Sequence, residues 1–167
     1  ALQGAAAAER IFEILDARSD VPDAGRRVLG PFREEIRFER VSFSYDGTTP
    51  VLRDVSLAIR KGEVVALVGS SGGGKTTLSN LLPRFWDVGG GRIAVDGVDV
   101  REVTLASLRG LMAMVTQDTV LFNDTVRANI AYGRPEVPLA EVERAARMAH
   151  AHDFIAARPQ GYDTVIG

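Results

Sequence analysis

The spacing of hydrophobic residues changes along the chain and divides it into a β-rich first part, an α/β middle and a helical last part. Residues 1–18 predict a helix, because an alanine-rich start is followed by an apolar face that contains Ile11, Ile14 and Leu15. Pro22 then breaks the pattern. This helix either arrives from another domain or packs on its own domain, and the pattern favours neither interpretation.

Two segments alternate with the period of a β-strand. In residues 36–45 the apolar side chains change face near Glu39-Arg40, which predicts a bulge or a bend between two strands. Asp46-Gly47 predicts a turn, and the alternation over residues 51–59 predicts an antiparallel strand that returns. A shorter hairpin is predicted around Asp96-Gly97.

Two unbroken apolar runs predict strands of a central sheet. Val64–Val68 is rich in β-branched residues, as expected for a strand buried on both faces, and Met112–Thr116 is the second candidate. A helix is predicted after the first run, from Thr77 to Leu82, and it is expected to continue with a kink past Pro83. The later segments are predicted as helices at Thr104–Leu108, with Thr104 as its N-cap, at Thr125–Ala131 and at Leu139–Ala149, followed by a loop at Gly161–Gly167.

A glycine-rich stretch joins the first apolar run to its helix. It fits the pattern G-x-x-x-x-G-K-[ST] of phosphate-binding loops, and strand, loop and helix are the context that this motif requires. Glycines allow positive φ and bring backbone N–H groups close to a polyphosphate. Lys75 is expected to bind the β- and γ-phosphates and Thr76 to ligate Mg²⁺. The predicted nucleotide-binding residues here are Gly69, Ser70, Ser71, Gly72, Gly73, Gly74, Lys75, Thr76 and Thr77.

Composition narrows the class of protein. The chain has 167 residues, of which 46% are apolar and 25% charged, as in a globular domain with a real core. A net charge of −2 argues against a nucleic-acid partner. There is no cysteine, which excludes disulfides and thiol chemistry. No apolar run reaches the roughly 20 residues of a membrane span.

Further short motifs lie on both sides of the glycine-rich stretch. They are Phe43-Ser44-Tyr45, Val51–Ser56, Lys61-Gly62-Glu63, Ile93–Gly97, Leu105–Arg109, Val115–Asp118, Leu121–Val126, Asn129-Ile130 and Phe154–Gly167. Together they resemble the nucleotide-binding domain of ABC transporters of the exporter type. The last stretch looks most like that of bacterial lipid A exporters, although exporters of drugs and peptides look similar.

The resemblance assigns roles that the residues alone leave open. Tyr45 matches the A-loop aromatic that stacks on adenine, where a tyrosine at a strand end is otherwise a solvent-facing residue. Gln117 matches the Q-loop glutamine, which binds Mg²⁺ or the attacking water, so ATP and Mg²⁺ are the implied cofactors. Lys75 and Gln117 would contribute to catalysis, without completing it. Residues 119–122 would contact the membrane domain or else form ordinary local core.

The chain also departs from the family pattern. Gly73 stands where many relatives carry serine. The signature stretch, the Walker B aspartate, the catalytic glutamate, the D-loop and the switch histidine have no match before Gly167. Asp96 is interpreted as a turn residue rather than the Walker B aspartate, and neither His150 nor His152 matches the switch histidine.

The predicted fold class is therefore α/β. It is a P-loop NTPase core with an N-terminal antiparallel β subdomain and a C-terminal helical segment, truncated before the signature and Walker B strands. Residues 1–30 are predicted to be a linker helix from a membrane domain, and residues 31–167 an incomplete ATP-binding domain.

The resemblance implies ATP binding, and hydrolysis in a complete protein, to export or flip a lipid or other hydrophobic substrate across a bacterial inner membrane. The implied partners are a membrane-spanning domain and a second ATP-binding domain in a homodimer at the cytoplasmic face, with no nucleic acid. Three alternatives remain: a drug or peptide exporter, another P-loop kinase or NTPase, and a non-catalytic interaction module. Only an ATP-driven role requires Lys75.

Overall fold

The computed structural model describes residues 10–13, 15–16, 21–116 and 120–167. The chain divides into two compact units, Ala1–Ala113 and Met114–Gly167. Residues 10–13 and 15 are helical, while the rest of the helix predicted over 1–18 lies outside the described residues. Within the described ranges, no helix combines the length and apolar character needed to cross a membrane. The domain boundary near residue 30 stays a prediction.

An antiparallel sheet of four strands, in the order β2-β1-β3-β4, is the centre of the first unit. The register of β1 against β2 shifts between Phe38 and Val41, and Arg40 has a φ of 47°. The predicted bulge near Glu39-Arg40 is thus confirmed. The strands are β1 (Glu35–Phe43), β2 (Leu52–Arg60), β3 (Gly90–Val95) and β4 (Val98–Asp99).

The turn between β3 and β4 has the chemistry that its sequence predicts. Asp96 and Gly97 both have positive φ, 49° and 79°, as in the type I′ turn that suits the twist of a hairpin. The Asp96 carboxylate accepts hydrogen bonds from the backbone N–H groups of Arg33, Glu34 and Glu35, at 2.8, 2.8 and 3.1 Å. Asp96 is therefore a structural turn residue, which confirms its interpretation from the sequence.

The helices that pack with this sheet are α1 (Lys75–Leu81) and α2 (Leu105–Arg109). The predicted cap of α2 is confirmed, because the Thr104 hydroxyl accepts a hydrogen bond from Ser107 N at 3.3 Å. The expected kinked extension of α1 past Pro83 is wrong. Proline removes a helical donor and clashes with the preceding turn, and Arg84 follows it with a φ of 54°. The sheet and helices bury a common core of Phe38, Val41, Phe43, Leu52, Leu78, Leu81, Ile93, Val95, Val100, Val103 and Leu108.

The two predicted core strands are not formed. Val64–Val68 belongs to no sheet among the described residues, and Val64 and Val68 are 99% and 87% exposed. Residues 112–116 form no strand either, and Val115 is 95% exposed. A strand needs a neighbour that takes up its backbone donors and acceptors. The described sheet offers these segments no such neighbour.

The second unit is mainly helical. The Thr125 hydroxyl caps its first helix by accepting from Ala128 N at 3.0 Å. The prediction of a loop over Gly161–Gly167 is wrong, because Val165–Ile166 pairs antiparallel with Asp124–Thr125. The elements are β5 (Asp124–Thr125), α3 (Val126–Ile130), α4 (Leu139–Met148), α5 (His152–Ala156), a 3₁₀ turn (Gly161–Asp163) and β6 (Val165–Ile166). Their core consists of Val126, Val137, Val142, Ala146, Ile155 and Tyr162.

Candidate functional site

The glycine-rich loop runs from the exposed segment Val64–Val68 into α1 in the first unit. Gly69, Gly72 and Gly74 have φ values of 154°, 77° and 80°, a region that other L-residues rarely adopt. Gly74 occupies the N-cap position of α1, and a Cβ there would lie 2.7 Å from Leu52 Cδ2. Glycine at this position therefore serves both the backbone turn and the close packing of the loop on β2.

Lys75 folds back over the loop that precedes it. Its ammonium donates hydrogen bonds to the carbonyl oxygens of Gly69 and Ser70, at 3.0 and 2.6 Å. Gly73 N donates to the same Ser70 oxygen at 3.2 Å. A full positive charge is thus held against a loop whose glycines leave its backbone open, an arrangement that attracts anions.

The two threonines after Lys75 differ in environment. Thr76 is exposed, whereas Thr77 is buried with 6% of its surface accessible. A threonine hydroxyl is a suitable oxygen ligand for Mg²⁺, but a protein commonly supplies few ligands and the bound phosphates and water supply the rest. No group of three carboxylate, histidine or cysteine side chains that could hold a metal occurs in the described part of the chain. The exposed hydroxyl of Thr76 fits a cation that arrives with phosphate ligands.

Tyr45 lies just beyond β1 and is brought to α1. Its hydroxyl is 3.0 Å from the Thr77 hydroxyl, and either group donates. Its ring stands almost perpendicular to the rings of Phe43 and Trp86, with interplanar angles of 86° and 88° and centroid distances of 4.8 and 5.2 Å. These contacts fix the ring in place. It is still accessible to a ligand, because 54% of the Tyr45 residue remains exposed.

The turn after Tyr45 is closed by Asp46. Its carboxylate accepts hydrogen bonds from Thr49 N at 2.7 Å, the Ser44 hydroxyl at 2.7 Å and Thr48 N at 2.8 Å. These hydrogen bonds, of which the one from Thr49 N has the largest effect, hold the pKa of Asp46 well below its ordinary value. The carboxylate therefore stays charged at neutral pH and fixes the backbone on the C-terminal side of Tyr45.

The structure brings some predicted site residues together and does not describe others. Lys75 contacts Gly69 and Ser70, and Tyr45 contacts Thr77. Gln117 lies outside the described residues, so its role stays a prediction. Sequence reasoning missed Trp86, which it assigned to an extension of α1. An aromatic residue soon after the helix that follows a phosphate-binding loop was the available signal.

Comparison with known proteins identifies the family. Residues 52–164 match the ABC transporter family profile. The chain belongs to the ABC transporter family. It is 56% identical over 166 residues to the ATP-dependent lipid A-core flippase of Syntrophus aciditrophicus, covering 99% of this chain and 28% of that protein. It is 46% identical over 159 residues to a putative multidrug export ATP-binding/permease protein of Staphylococcus aureus, covering 94% of this chain and 28% of that protein.

A solved structure gives the same assignment for the fold of this ABC transporter chain. The structure of a bacterial Atm1-family ABC exporter with ATP bound matches with a TM-score of 0.84 and 44% sequence identity, over 99% of this chain and 29% of that one. The predicted α/β P-loop fold class is thereby confirmed. The chain spans less than a third of the length of the relatives it matches.

Proposed function

We propose that this chain is the nucleotide-binding part of an ABC exporter and that it binds ATP at the glycine-rich loop. The observation that carries the proposal is the arrangement at α1. This helix begins at Lys75, whose ammonium is held over an open glycine loop. Its Thr77 hydroxyl also hydrogen bonds with the hydroxyl of Tyr45, an exposed tyrosine. A polyphosphate and a flat base are the two chemical groups that such a pair of features would hold.

Each side chain then has a separate task. Lys75 moves from the loop carbonyls to the β- and γ-phosphates, where it neutralises charge that builds up in phosphoryl transfer. Thr76 would hold a Mg²⁺ ion, which would supply positive charge against the phosphates. The Tyr45 ring stacks on adenine. Gln117 would have the role of the Q-loop glutamine, holding Mg²⁺ or hydrogen bonding to the attacking water.

The 167-residue chain is expected to bind nucleotide without turning it over. Phosphoryl transfer depends on several charged groups that position the nucleophile and the metal. The sequence has no match to the Walker B aspartate or the catalytic glutamate of the family. In the complete protein, ATP binding would bring two such domains together as a homodimer, and hydrolysis would separate them.

The proposed work of the complete protein is the export or flipping of a lipid, powered by ATP. It would act in a bacterial inner membrane, with a membrane-spanning domain as partner and the nucleotide sites on the cytoplasmic face. The support is the similarity to ATP-dependent lipid A-core flippases. Export of drugs is a second candidate, because a putative multidrug exporter is also similar, though at 46% rather than 56% identity.

Calorimetric titration of Mg-ATP into the 167-residue chain tests the proposed binding. Lys75→Ala should remove most of the affinity, since the charge held over the loop is lost. Lys61→Ala is the matched control, because Lys61 is the chain's other lysine and is exposed after β2. We expect the parent chain and Lys61→Ala to bind Mg-ATP saturably, and Lys75→Ala to lose most of this binding. Binding that survives equally in both variants would contradict a phosphate role for the loop.

A further inference from the structure

Tyr45 is held by contacts with Thr77 and Trp86 that the family assignment does not explain. We infer that Thr77 and Trp86 are positioning residues, which fix the Tyr45 ring as a preformed platform for the base of a bound nucleotide. This inference rests on the proposed function, because a platform has a role only where a nucleotide binds. The site is then organised before the ligand arrives, through contacts between the base platform and the phosphate-binding helix.

The hydroxyl of Tyr45 provides the first fixed point. It lies 3.0 Å from the hydroxyl of Thr77, a residue with 6% exposure in the first turn of α1. A buried helical side chain has little freedom to move, so the partner of the tyrosine is itself fixed. The hydrogen bond thus ties the ring to the helix that begins at Lys75. It also occupies the polar atom of the side chain, so the ring offers a stacking surface.

The faces and edges of neighbouring rings provide the second fixed point. Phe43 is buried, with 5% exposure, and Trp86 lies on the other side of α1 in sequence, after that helix has ended. Both stand nearly perpendicular to Tyr45, at centroid distances within the favourable range for aromatic pairs. Perpendicular contacts with two rings define the orientation of the third.

The backbone provides the last fixed point. The residue before Tyr45 and the residues after it are joined through the charged carboxylate of Asp46. Tyr45 therefore has a fixed backbone, a fixed ring orientation and a fixed hydroxyl, while 54% of the residue stays accessible. A side chain that is already ordered loses less entropy when a ligand binds, so this arrangement favours affinity.

The first test needs no ligand, because Trp86 is the only tryptophan in the chain and its emission reports on its surroundings. Thr77→Val and Tyr45→Phe remove one hydroxyl each, and Thr77→Ser keeps it. We expect both hydroxyl-free variants to change the Trp86 emission and its quenching by acrylamide, and Thr77→Ser to match the parent chain. Identical spectra for Thr77→Val and the parent chain would overturn the positioning role of Thr77.

The second test compares Mg-ATP with inorganic tripolyphosphate by calorimetry. Tyr45→Phe should weaken ATP binding about threefold, the size of one modest hydrogen bond, and leave tripolyphosphate binding unchanged. Thr77→Val should weaken ATP binding by at least the same factor, because Thr77 is also a predicted residue of the phosphate-binding loop. The Tyr45→Phe/Thr77→Val double variant should bind ATP no more weakly than Thr77→Val alone, because both substitutions remove the same hydrogen bond. Additive losses would overturn the inference. An equal loss for tripolyphosphate in Tyr45→Phe would also overturn it, since the hydroxyl contact would then act on phosphate rather than on the base, but the proposed function would stand.

Trp86 is tested in the same way. Trp86→Ala should weaken ATP but not tripolyphosphate, while Trp86→Phe, which keeps an aromatic neighbour, should bind ATP like the parent chain. Equal affinities for ATP in all three chains would remove Trp86 from the platform. If the parent chain binds neither ligand, the proposed function fails and the platform fails with it, even where the emission experiment shows that Thr77 orders the ring.

Discussion

The ammonium of Lys75 lies 2.6 Å from the carbonyl oxygen of Ser70, five positions earlier in the chain. It also donates to Gly69 O at 3.0 Å. These contacts join the start of the loop to the start of α1 across a stretch that contains Gly72, Gly73 and Gly74. Glycine has more conformational freedom to lose than any other residue, so an open loop of this composition needs such a contact to hold one shape.

Replacing Lys75 should therefore cost stability even without nucleotide. We expect Lys75→Ala to lower the free energy of unfolding by about 1 kcal/mol, since it removes hydrogen bonds from a charged donor that is partly exposed. Urea titration of the ligand-free chain measures the change. Lys61→Ala provides the control for loss of a lysine charge, and we expect it to have no effect. Equal stability for both variants would show that the lysine does not order the loop.

The glycines of the loop offer a matched pair of substitutions. Gly72 and Gly74 have nearly the same φ, 77° and 80°, but a Cβ at Gly72 would meet nothing within 4 Å. A Cβ at Gly74 would lie 2.7 Å from Leu52 Cδ2 and 3.3 Å from Val51 O.

Backbone strain should thus lower the free energy of unfolding of both alanine variants by about 1 kcal/mol. In Gly74→Ala the steric clash should lower it by about 1–3 kcal/mol more. Urea unfolding of the two variants measures the difference. Equal losses would mean that the contact with β2 yields without cost.

Local chemistry explains what the sequence predicted well. The glycine loop, the bulge near Arg40 and the Asp96-Gly97 turn each depend on residues that are adjacent in the chain, so their patterns are visible without a structure. The helix cap at Thr104 is another case, since a side chain bonds to a backbone group within three positions.

What the sequence did not predict depends on partners far away. Val64–Val68 has the composition of a buried strand, yet composition supplies no neighbouring strand, and the segment is exposed. β6 was missed because its partner, β5, lies about 40 positions earlier in the chain. The contact between Tyr45 and Thr77 joins residues 32 positions apart and is set by how α1 packs on the sheet. Such contacts leave no periodic signal.

Removal of the Tyr45 ring should separate base recognition from phosphate recognition. Tyr45→Ala is expected to weaken Mg-ATP binding by on the order of 1 kcal/mol, or about fivefold, which is the size of one aromatic stacking contact. Tripolyphosphate has no base, so its affinity should stay unchanged. Tyr132→Ala is a suitable control, because Tyr132 is an exposed tyrosine of the second unit, with 68% exposure. Equal losses for both ligands would exclude the adenine-stacking role.

The Asp96 carboxylate should make the stability of the first unit depend on pH. Partial burial alone would raise its pKa, but hydrogen bonds from the backbone N–H groups of Glu34, Arg33 and Glu35 more than offset this, and the pKa in the folded state is lowered. A lowered carboxyl pKa contributes stability in full above the unfolded value of about 4. That contribution is lost as the pH falls through the folded pKa.

Asp96→Asn should therefore reduce the free energy of unfolding by about 1 kcal/mol at neutral pH, because an amide N–H₂ replaces one acceptor oxygen opposite a backbone donor. The difference from the parent chain should shrink below about pH 4, where the aspartate itself becomes protonated. Urea titrations at several pH values measure both effects. Asp54→Asn removes the same charge at an exposed position on β2 whose side chain accepts no hydrogen bond from the described residues. A loss at neutral pH in both variants would point to net charge, rather than the turn, as the cause.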